Sequence, residues 1–569
     1  MLRSDNTADL DRRLSLDQMR ERVELYVRTY RTILRSAGET RLRTLEAPHI
    51  EMASSLHAGA GDPRPDMGAL IYAMQRLPAC MPAVRHLTFG QSPDAIGRAI
   101  DADVSGWQSV TSPGRRRRWL WDGGDRLGVL VASESDVDDL IPTAVAYQIE
   151  WNKLHTLLRH AGVADHDPSQ IWRDLDVREA DWQHFAEITG DLTGFLQAVA
   201  AHEKDLRVRA VGGTHVGYAR ATRRWWSAIH NTLVAEGLDQ RPIYFVSSNT
   251  HSLINLLSGV AARLEDEILA FVDASRDPEL LTEREAIRTG ASRASWTNFL
   301  YYAARAYFAR HPDAERLRER RASEETTLGI RWVPPHGAID VACQIIRLDG
   351  LEPGRLDSRL GTIDETGLRA SDAVIVNIDY PLGLAAYRAL REAAEDLEQL
   401  RGVYVLGKAA TLNAAVGDVL VSDVILDEHT DNTYWFDNCF SAADVAPYLV
   451  FGSALDGQQA VTVLGTFLQN RGHLDFYYRE AFTVVEMEGG PYLSAVYEAA
   501  YPMRHPAEQH VNLARLPFDL GILHYASDTP YTQARTLGAR GLSYRGMDST
   551  YAGAVAILRR IFEREGLLK

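Results

Sequence analysis

Cysteine is scarce in this chain, which has only Cys80, Cys343 and Cys439 among its 569 residues. The three lie far apart, so the sequence predicts neither a disulfide framework nor a metal site with paired cysteine spacing. A protein without disulfides suits a reducing compartment, and we therefore expect a cytoplasmic location. A convincing dinucleotide-binding fingerprint is also lacking, so the sequence predicts no cofactor and no metal.

Long hydrophobic runs and an excess of positive charge are lacking as well. No apolar run approaches the roughly 18–20 residues that a membrane span needs. Residues 1–13 are polar and contain acids, unlike a secretory signal or a transit peptide. The chain has 61 basic and 77 acidic residues and a net charge of −16, which disfavours a nucleic-acid partner. We expect neither a membrane span nor nucleic-acid binding.

The periodicity of the apolar residues divides the chain into three predicted units, consistent with its length. Residues 1–137 are predicted to be mainly helical, with a small β-hairpin at 115–133 that turns at Gly123-Gly124. Residues 138–324 form a helical middle region, interrupted by a strand, a turn and a helix near 243–258. That turn is either an anion cradle or a helix cap formed by Asn249 or Thr250.

The third predicted unit, residues 325–569, alternates strands and helices. Strands are expected near 328–333, 372–378, 402–406, 419–423, 461–465, 484–487 and 520–525, and a helix at 338–348. This alternation is typical of a mostly parallel, twisted sheet with helices on its faces, an α/β fold. Ligands of such sheets bind at the carboxyl ends of the strands.

Acidic side chains follow two of these predicted strands. One strand runs directly into Glu486-Met487-Glu488 and two glycines, and the last strand ends in Ser527-Asp528. A carboxylate in such a place can accept hydrogen bonds from sugar hydroxyls, and a methionine supplies a soft apolar wall. A solvated acidic rim is the alternative interpretation.

Four segments together resemble signatures of the nucleoside phosphorylase/nucleosidase superfamily, over residues 325–569. They are, in chain order, Gly383 between a strand and a small-residue helix, Gly407-Lys408-Ala409-Ala410-Thr411 followed by Gly417-Asp418, Val485-Glu486-Met487-Glu488-Gly489-Gly490, and Ser527-Asp528. The resemblance implies a nucleoside phosphorylase-like catalytic domain that cleaves N-glycosidic bonds. It also implies a homo-oligomer.

The resemblance implies a role for each matched residue. Asp528 would be the general acid that hydrogen-bonds or protonates N7 of the base, and Ser527 would hold that carboxyl group. Glu488 would bind the ribose hydroxyls, with Met487 packed under the sugar and Glu486 beside them. The remaining substrate-binding candidates are Gly407, Lys408 and Thr411 of the glycine loop, and Phe467, which either stacks on the base or belongs to the core.

The chain also departs from the family pattern. The arginines that hold phosphate in the phosphorylases have no counterpart here, and Lys408 is the only cation of the loop. Because lysine offers one point charge where arginine offers a fork, hydrolysis is favoured over phosphorolysis, with phosphate left open as the nucleophile. The water-activating carboxylate of methylthioadenosine nucleosidases is missing too. His336 or Asp340 would take that role, unless His336 is structural.

We therefore predict an N-ribosyl hydrolase or pentosyltransferase, with a nucleosidase favoured, that acts on a purine nucleoside or nucleotide. The added N-terminal region is similar in layout to that of AMP nucleosidase. A substrate with a 5′-phosphate would need basic residues from elsewhere, such as Arg220, Arg223, Arg224 or His251. Two alternatives stay open: a catalytically silent nucleotide-binding or scaffold protein, and a stress effector that depletes nucleotides.

Overall fold

The computed structural model describes residues 16–35, 38–160, 171–175, 177–213, 215–502, 504–529 and 544–569. Its strands are β1 (Thr40–Arg41), β2 (His86–Gly90), β3 (Gln108–Ser112), β4 (Arg115–Trp121), β5 (Arg126–Leu130), β6 (Arg207–Ala210), β7 (Ile243–Ser248), β8 (Ile330–Val333), β9 (Cys343–Arg347), β10 (Val374–Asp379), β11 (Leu400–Thr411), β12 (Val419–Asp427), β13 (Asn432–Trp435), β14 (Ala454–Thr462), β15 (Phe482–Glu486), β16 (His510–Asn512) and β17 (Asp519–Asp528).

The α-helices are α1 (Leu16–Arg35), α2 (Glu46–Glu51), α3 (Met67–Arg76), α4 (Pro93–Ile100), α5 (Glu134–His160), α6 (Ile171–Asp174), α7 (Glu179–Thr189), α8 (Leu192–Ala201), α9 (His215–Ala235), α10 (Ser252–Ser258), α11 (Val260–Arg263), α12 (Glu265–Ser275), α13 (Pro278–Arg288), α14 (Trp296–Arg310), α15 (Ala314–Thr327), α16 (Glu365–Ala370), α17 (Leu384–Asp396), α18 (Ala442–Val445), α19 (Arg471–Arg479), α20 (Gly489–Ala500) and α21 (Tyr544–Arg564). Among these helices, none combines the length and the apolar composition that crossing a bilayer requires.

The N-terminal region contains a six-stranded sheet with the order β1-β6-β2-β5-β4-β3. The predicted hairpin is present as the antiparallel pair β4–β5, while β2 pairs in parallel with β5 and β6. The hairpin is therefore part of a larger sheet, whose strands β1, β2, β3 and β6 were not predicted. The reason is that β1, β2 and β6 are 2, 5 and 4 residues long, too short for alternation to show against the helical pattern around them.

The second sheet has eleven strands in the order β16-β13-β12-β14-β15-β11-β7-β10-β9-β8, with β17 paired to both β11 and β12. Strands β11, β15, β14, β12 and β17 thus form a closed ring. Pairing within the ring is mixed in direction: β11–β17, β12–β14 and β14–β15 are parallel, whereas β11–β15 and β12–β17 are antiparallel. The predicted α/β class is confirmed, but the sheet is mixed rather than mostly parallel. Closing the ring brings strands of opposite direction side by side.

Strand β7 lies at the centre of the large sheet, in parallel pairs with β10 and β11. All six of its residues are buried. This strand was predicted within the helical middle region, yet it belongs with the sheet of the third unit. Residues 343–347, predicted as part of a helix, form β9 between β8 and β10. A short apolar run such as Cys-Gln-Ile-Ile is compatible with a helix or a strand. Here it forms a strand because β8 and β10 pair with it on either side.

The N-terminal region packs directly on the large sheet, next to the carboxyl ends of β7, β10 and β11. Leu384 donates its backbone N–H to Ser135 Oγ at 2.9 Å, and Arg388 pairs with Glu134 at 2.9 Å. Arg116 of β4 forms an ion pair with Asp379 and donates to the Tyr380 carbonyl at 2.8 Å. These contacts place the hairpin over the sheet edge where ligands of α/β proteins bind.

Candidate active site

A cavity of about 840 Å³ lies between the hairpin and the large sheet. The ends of β7, β10, β11, β15 and β17 form one wall, and residues of α3, β4, α14 and α15 form the other. Of the ten residues predicted for the site, seven line this cavity: Gly407, Lys408, Glu486, Met487, Glu488, Ser527 and Asp528. The cavity is therefore built at the sheet edge to which the motifs pointed.

Glu488 lies just beyond β15 and is 6% exposed. Its Oε1 accepts a hydrogen bond of 3.1 Å from the backbone N–H of Gly383. Gly383 has a φ of +53°, and a Cβ there would meet Ser135 Oγ at 2.3 Å, so this turn requires glycine. Burial, reinforced by the nearby Glu486, raises the pKa of Glu488 to about 8.

Glu486, at the end of β15, has a structural role at the same wall. Its Oε2 accepts hydrogen bonds from the N–H groups of Glu488 and Gly489 at 2.6 and 2.5 Å, and its Oε1 accepts one from the Thr462 hydroxyl. The side chain thus caps the start of α20. Because both oxygens already have protein donors, the predicted substrate contact falls to Glu488 instead. Burial raises the pKa of Glu486 to about 7.

Asp528 ends β17 and is 4% exposed. Its Oδ1 accepts a hydrogen bond of 2.7 Å from Thr529 N–H, whereas Oδ2 has no partner among the described residues. Burial raises the pKa of Asp528 to about 6. Ser527 does not hold this carboxyl group as predicted, because its hydroxyl donates to the Ala409 carbonyl at 3.3 Å.

Strand β11 connects the two acids. Ala410 pairs with Val485 of β15 on one side and with Asp528 of β17 on the other. Two strand spacings therefore separate Val485 and Asp528, about 10 Å between Cα atoms. Residues 407–410 of β11 lie between these strands and line the cavity. The acids are thus held on opposite sides of a shared floor, with room for a ligand between them.

Gly407 gives this floor its shape. A Cβ at this position would lie 2.1 Å from Tyr380 Oη, so the tyrosine ring packs directly on the glycine backbone. Tyr380 lines the cavity, and its hydroxyl is buried without a hydrogen-bond partner among the described residues. Burial and the nearby Glu488 and Glu486 raise the pKa of Tyr380 well above its usual value.

Three predicted site residues lie outside the cavity. Phe467 is buried and makes edge contacts with Tyr72, 5.1 Å between ring centroids, and with His57, so it belongs to the core. Thr411 is also buried, and its hydroxyl accepts from Ala414 N–H at 3.0 Å and donates to the Thr483 carbonyl at 3.2 Å. His336 is exposed in the loop after β8. The water-activating candidate that does line the cavity is Asp340.

Most of the cations that line the cavity lie before residue 325, outside the segments that resemble the nucleoside phosphorylase superfamily. They were not predicted as site residues. Arg115 forms a double hydrogen bond with Asp139 at 3.0 and 3.1 Å, and Arg117 pairs with Asp139 and Asp136 at 2.7 and 2.9 Å. A run of four arginines such as Arg115–Arg118 is usually a solvated face, but Arg115 and Arg117 are paired inside the protein instead. The run of four arginines was itself the signal that could have identified them.

Arg305 of α14 and Arg321 of α15 also line the cavity. Arg305 interrupts an apolar helical run, and Arg321 lies in a Glu/Arg-rich segment whose composition is typical of an exposed connector. Neither pattern separates a site residue from an ordinary surface arginine. The turn after β7 completes this end of the cavity, where Asn249 Oδ1 caps α10 by accepting from Ser252 N–H at 2.7 Å.

In the part of the chain that the structure describes, no cluster of three or more His, Cys, Asp or Glu residues could hold a metal ion. The groups that line the cavity include buried carboxyl groups, cations and a tyrosine hydroxyl. Such groups can exchange protons with a ligand and bind its hydroxyl and anionic groups.

Several solved structures share a low overall similarity with this chain. A 5′-methylthioadenosine/S-adenosylhomocysteine nucleosidase from Campylobacter jejuni is 12% identical, over 57% of this chain and 99% of that one, with a TM-score of 0.30. The corresponding enzyme from Neisseria meningitidis is 11% identical, over 56% and 99%, also at 0.30. Uridine phosphorylase from Schistosoma mansoni is 10% identical, over 44% and 84%, at 0.28. Scores this low support no conclusion about activity.

No curated protein matches the chain. Residues 42–563 match the model of a family of unknown function, DUF6909, and the match includes the cavity and every strand described above except β1. The chain therefore belongs to the DUF6909 family.

Proposed function

We propose that this protein cleaves the N-glycosidic bond of a purine nucleoside or nucleotide, with water favoured as the nucleophile. One observation carries the proposal: Glu488 and Asp528, two buried carboxyl groups on different strands, line one cavity on either side of β11. N-glycosidic cleavage develops positive charge on the ribose and negative charge on the leaving base. Two separated acids with different environments suit that division of charge.

Asp528 is proposed as the general acid. A pKa of about 6 leaves part of the population protonated near neutral pH, and the unpartnered Oδ2 is available to donate that proton to N7 of the base. The hydrogen bond from Thr529 N–H fixes the other oxygen. As the C–N bond breaks, the electron pair moves onto the purine, and the proton from Asp528 neutralises the developing charge.

Glu488 is proposed to bind the ribose. Gly383 N–H orients the carboxyl group through Oε1, and two sugar hydroxyls are able to donate to it. Hydrogen bonds to the charged form favour ionisation, so ligand binding is expected to lower the pKa of Glu488 from about 8. Met487, which also lines the cavity, would pack against the sugar.

Water is the proposed nucleophile, and it needs a group that orients and deprotonates it. Asp340 lines the cavity and is the proposed group to orient and deprotonate a water molecule that attacks the anomeric carbon. His336, the other candidate from the sequence, is exposed and lies outside the cavity wall. Inorganic phosphate is the alternative nucleophile, and would yield ribose 1-phosphate instead of free ribose.

A substrate panel tests the proposal. The full chain would be incubated with adenosine, inosine, guanosine, uridine and their 5′-monophosphates, each with and without inorganic phosphate. Chromatography would then quantify free base, ribose and ribose 1-phosphate. Release of a purine base without phosphate is the expected result. If calorimetry shows binding of the same compounds while no base is released, the protein is a silent nucleotide-binding protein and the proposed activity is wrong.

A further inference from the structure

Two cations of the cavity wall have no ion-pair partner in the part of the chain that the structure describes. Arg115, Arg116 and Arg117 are each paired with an aspartate, Asp139, Asp379 and Asp136 respectively. By contrast, Lys408 of β11 and Arg305 of α14 form no ion pair and no side-chain hydrogen bond within the described residues. In a chain with 77 acidic and 61 basic residues, unpaired cations facing a cavity are not expected from composition.

The environment of Lys408 is unfavourable for its charge. Burial lowers the pKa of this lysine, and the nearby Arg115, Arg76, Arg116 and Arg305 lower it further. Like charges collected in a partly desolvated space destabilise one another, and a bound anion removes that repulsion. Lys408 and Arg305 thus add positive charge to a cavity whose wall also holds the carboxyl groups of Glu488 and Asp528.

Arg321 of α15 lines the cavity as well, and only part of its guanidinium group is hydrogen-bonded to the protein. Its Nε donates to Glu325 at 2.6 Å, while Nη2 is buried without a partner among the described residues. Burial lowers the pKa of the neighbouring His251 to about 3, with contributions from Arg305 and Arg321, so this imidazole is neutral and leaves the positive charge here to the arginines. An arginine fork with a free N–H group is suited to phosphate oxygens.

We propose that Lys408, Arg305 and Arg321 form a subsite for a phosphate group, next to the sugar site. The inference rests on the proposed function in taking the rest of the ligand to be a nucleoside. Lys408 lies on β11, between the strands that carry Glu488 and Asp528, so the phosphate would lie close to the ribose. Helices α14 and α15 would thereby contribute to ligand recognition. The group is either the 5′-phosphate of a nucleotide or free inorganic phosphate.

Binding measurements on the full chain test this subsite. Titration calorimetry would compare AMP, adenosine and inorganic phosphate on the wild type, Arg305→Gln and Lys408→Gln. Arg310→Gln is the matched control, because Arg310 lies on the same helix but pairs with Asp277 and does not line the cavity. Losing one charged hydrogen-bond donor is expected to weaken binding of the phosphorylated ligand about 10- to 100-fold. For each variant the loss of adenosine affinity should be much smaller than the loss of AMP affinity.

The titrations with AMP and with inorganic phosphate distinguish a 5′-phosphate from the free anion as the ligand of the subsite. If the variants lose AMP affinity and inorganic phosphate does not bind, the subsite recognises a 5′-phosphate. If they lose affinity for inorganic phosphate, it binds the free anion. If AMP and phosphate bind both variants as tightly as they bind the wild type and Arg310→Gln, or do not bind the wild type, there is no phosphate subsite. These experiments measure binding, not catalysis. Absence of base release would therefore refute the proposed function but not the phosphate subsite.

Discussion

Glu488 and Asp528 are held in surroundings that disfavour their charge. Both side chains are buried, and the pKa values rise to about 8 and about 6. Burial is the main cause for both; Glu486 adds to the rise in the pKa of Glu488, whereas the Thr529 N–H and Arg76 oppose the rise in the pKa of Asp528. Ionisation of these acids lowers the free energy of unfolding of the ligand-free protein. A ligand that donates hydrogen bonds to them or neutralises their charge stabilises the folded state.

The pKa of Glu488 predicts a pH-dependent stability. In the folded state the pKa is about 8 and in the unfolded state it is near the ordinary 4.5. Between these values the folded protein binds more protons than the unfolded one, so this side chain's contribution to stability is complete below about pH 4.5 and is lost as the pH rises through about 8. Glu488→Gln cannot ionise, and its Tm should therefore exceed that of the wild type by several degrees at high pH but not at low pH.

Thermal unfolding of both proteins from about pH 5 to about pH 9 measures this difference. Glu398→Gln is the control, because it removes the same charge at an exposed position outside the cavity. Wild-type and Glu488→Gln curves that stay parallel over the whole range would show that Glu488 is not held in the protonated form.

At the scale of single elements, β11 connects all parts of the site. It is 12 residues long and pairs with β7, β15 and β17. Its residues 407–410 form the floor between the two acids, and Lys408 projects from it. The contact of Gly407 with Tyr380 determines how closely the loop after β10 approaches this floor.

Gly407→Ala is expected to disturb both the fold and the cavity. The new Cβ would overlap the Tyr380 ring, with Cζ at 2.3 Å, and an overpacked site of this kind typically costs about 1–3 kcal/mol of unfolding free energy. Chemical denaturation would measure the loss. Gly354→Ala is the control, since a Cβ there meets no atom within 4 Å. Equal stability of the two variants would contradict the described packing of Tyr380 on β11.

Strand ends were predictable from the sequence because buried strands leave clear apolar runs that stop at polar residues. Glu488 and Asp528 were found in this way, and Gly407 and Lys408 with them. The short strands of the N-terminal sheet were not, since two to five residues carry too little pattern. The strand at 343–347 was taken for a helix for a related reason. The role of Phe467 could not be predicted, because a large aromatic residue suits both base stacking and core packing.

At the scale of the whole molecule, the site is assembled from segments that are distant in sequence. Arg115, Arg305, Lys408, Glu488 and Asp528 all line one cavity. The third predicted unit, residues 325–569, lacks β7, the strand between β10 and β11. Such long-range pairing leaves no local signal in one sequence, which is why the contribution of α14 and α15 could not be predicted.

The position of β7 predicts that residues 325–569 do not fold alone. Without it, β10 and β11 lose the strand between them, and α10 to α15 no longer cover their core. A fragment of residues 215–569 keeps these elements and should unfold cooperatively, whereas residues 325–569 should show no cooperative thermal transition by circular dichroism. A sharp transition in the shorter fragment would contradict the central role of β7.

The central claim is that the carboxyl group of Asp528 acts on a bound base, and one pair of variants tests it most directly. Asp528→Asn and Asp548→Asn each neutralise an aspartate that is 4% exposed, but Asp548 lies outside the cavity and accepts from the N–H groups of Val450 and Phe451. Base release from the best substrate of the panel would be measured for both, with Tm as the check on folding.

Loss of a general acid predicts a fall of about 100-fold or more for Asp528→Asn, with its Tm retained, and near wild-type base release for Asp548→Asn. Wild-type base release by a folded Asp528→Asn protein would contradict the account.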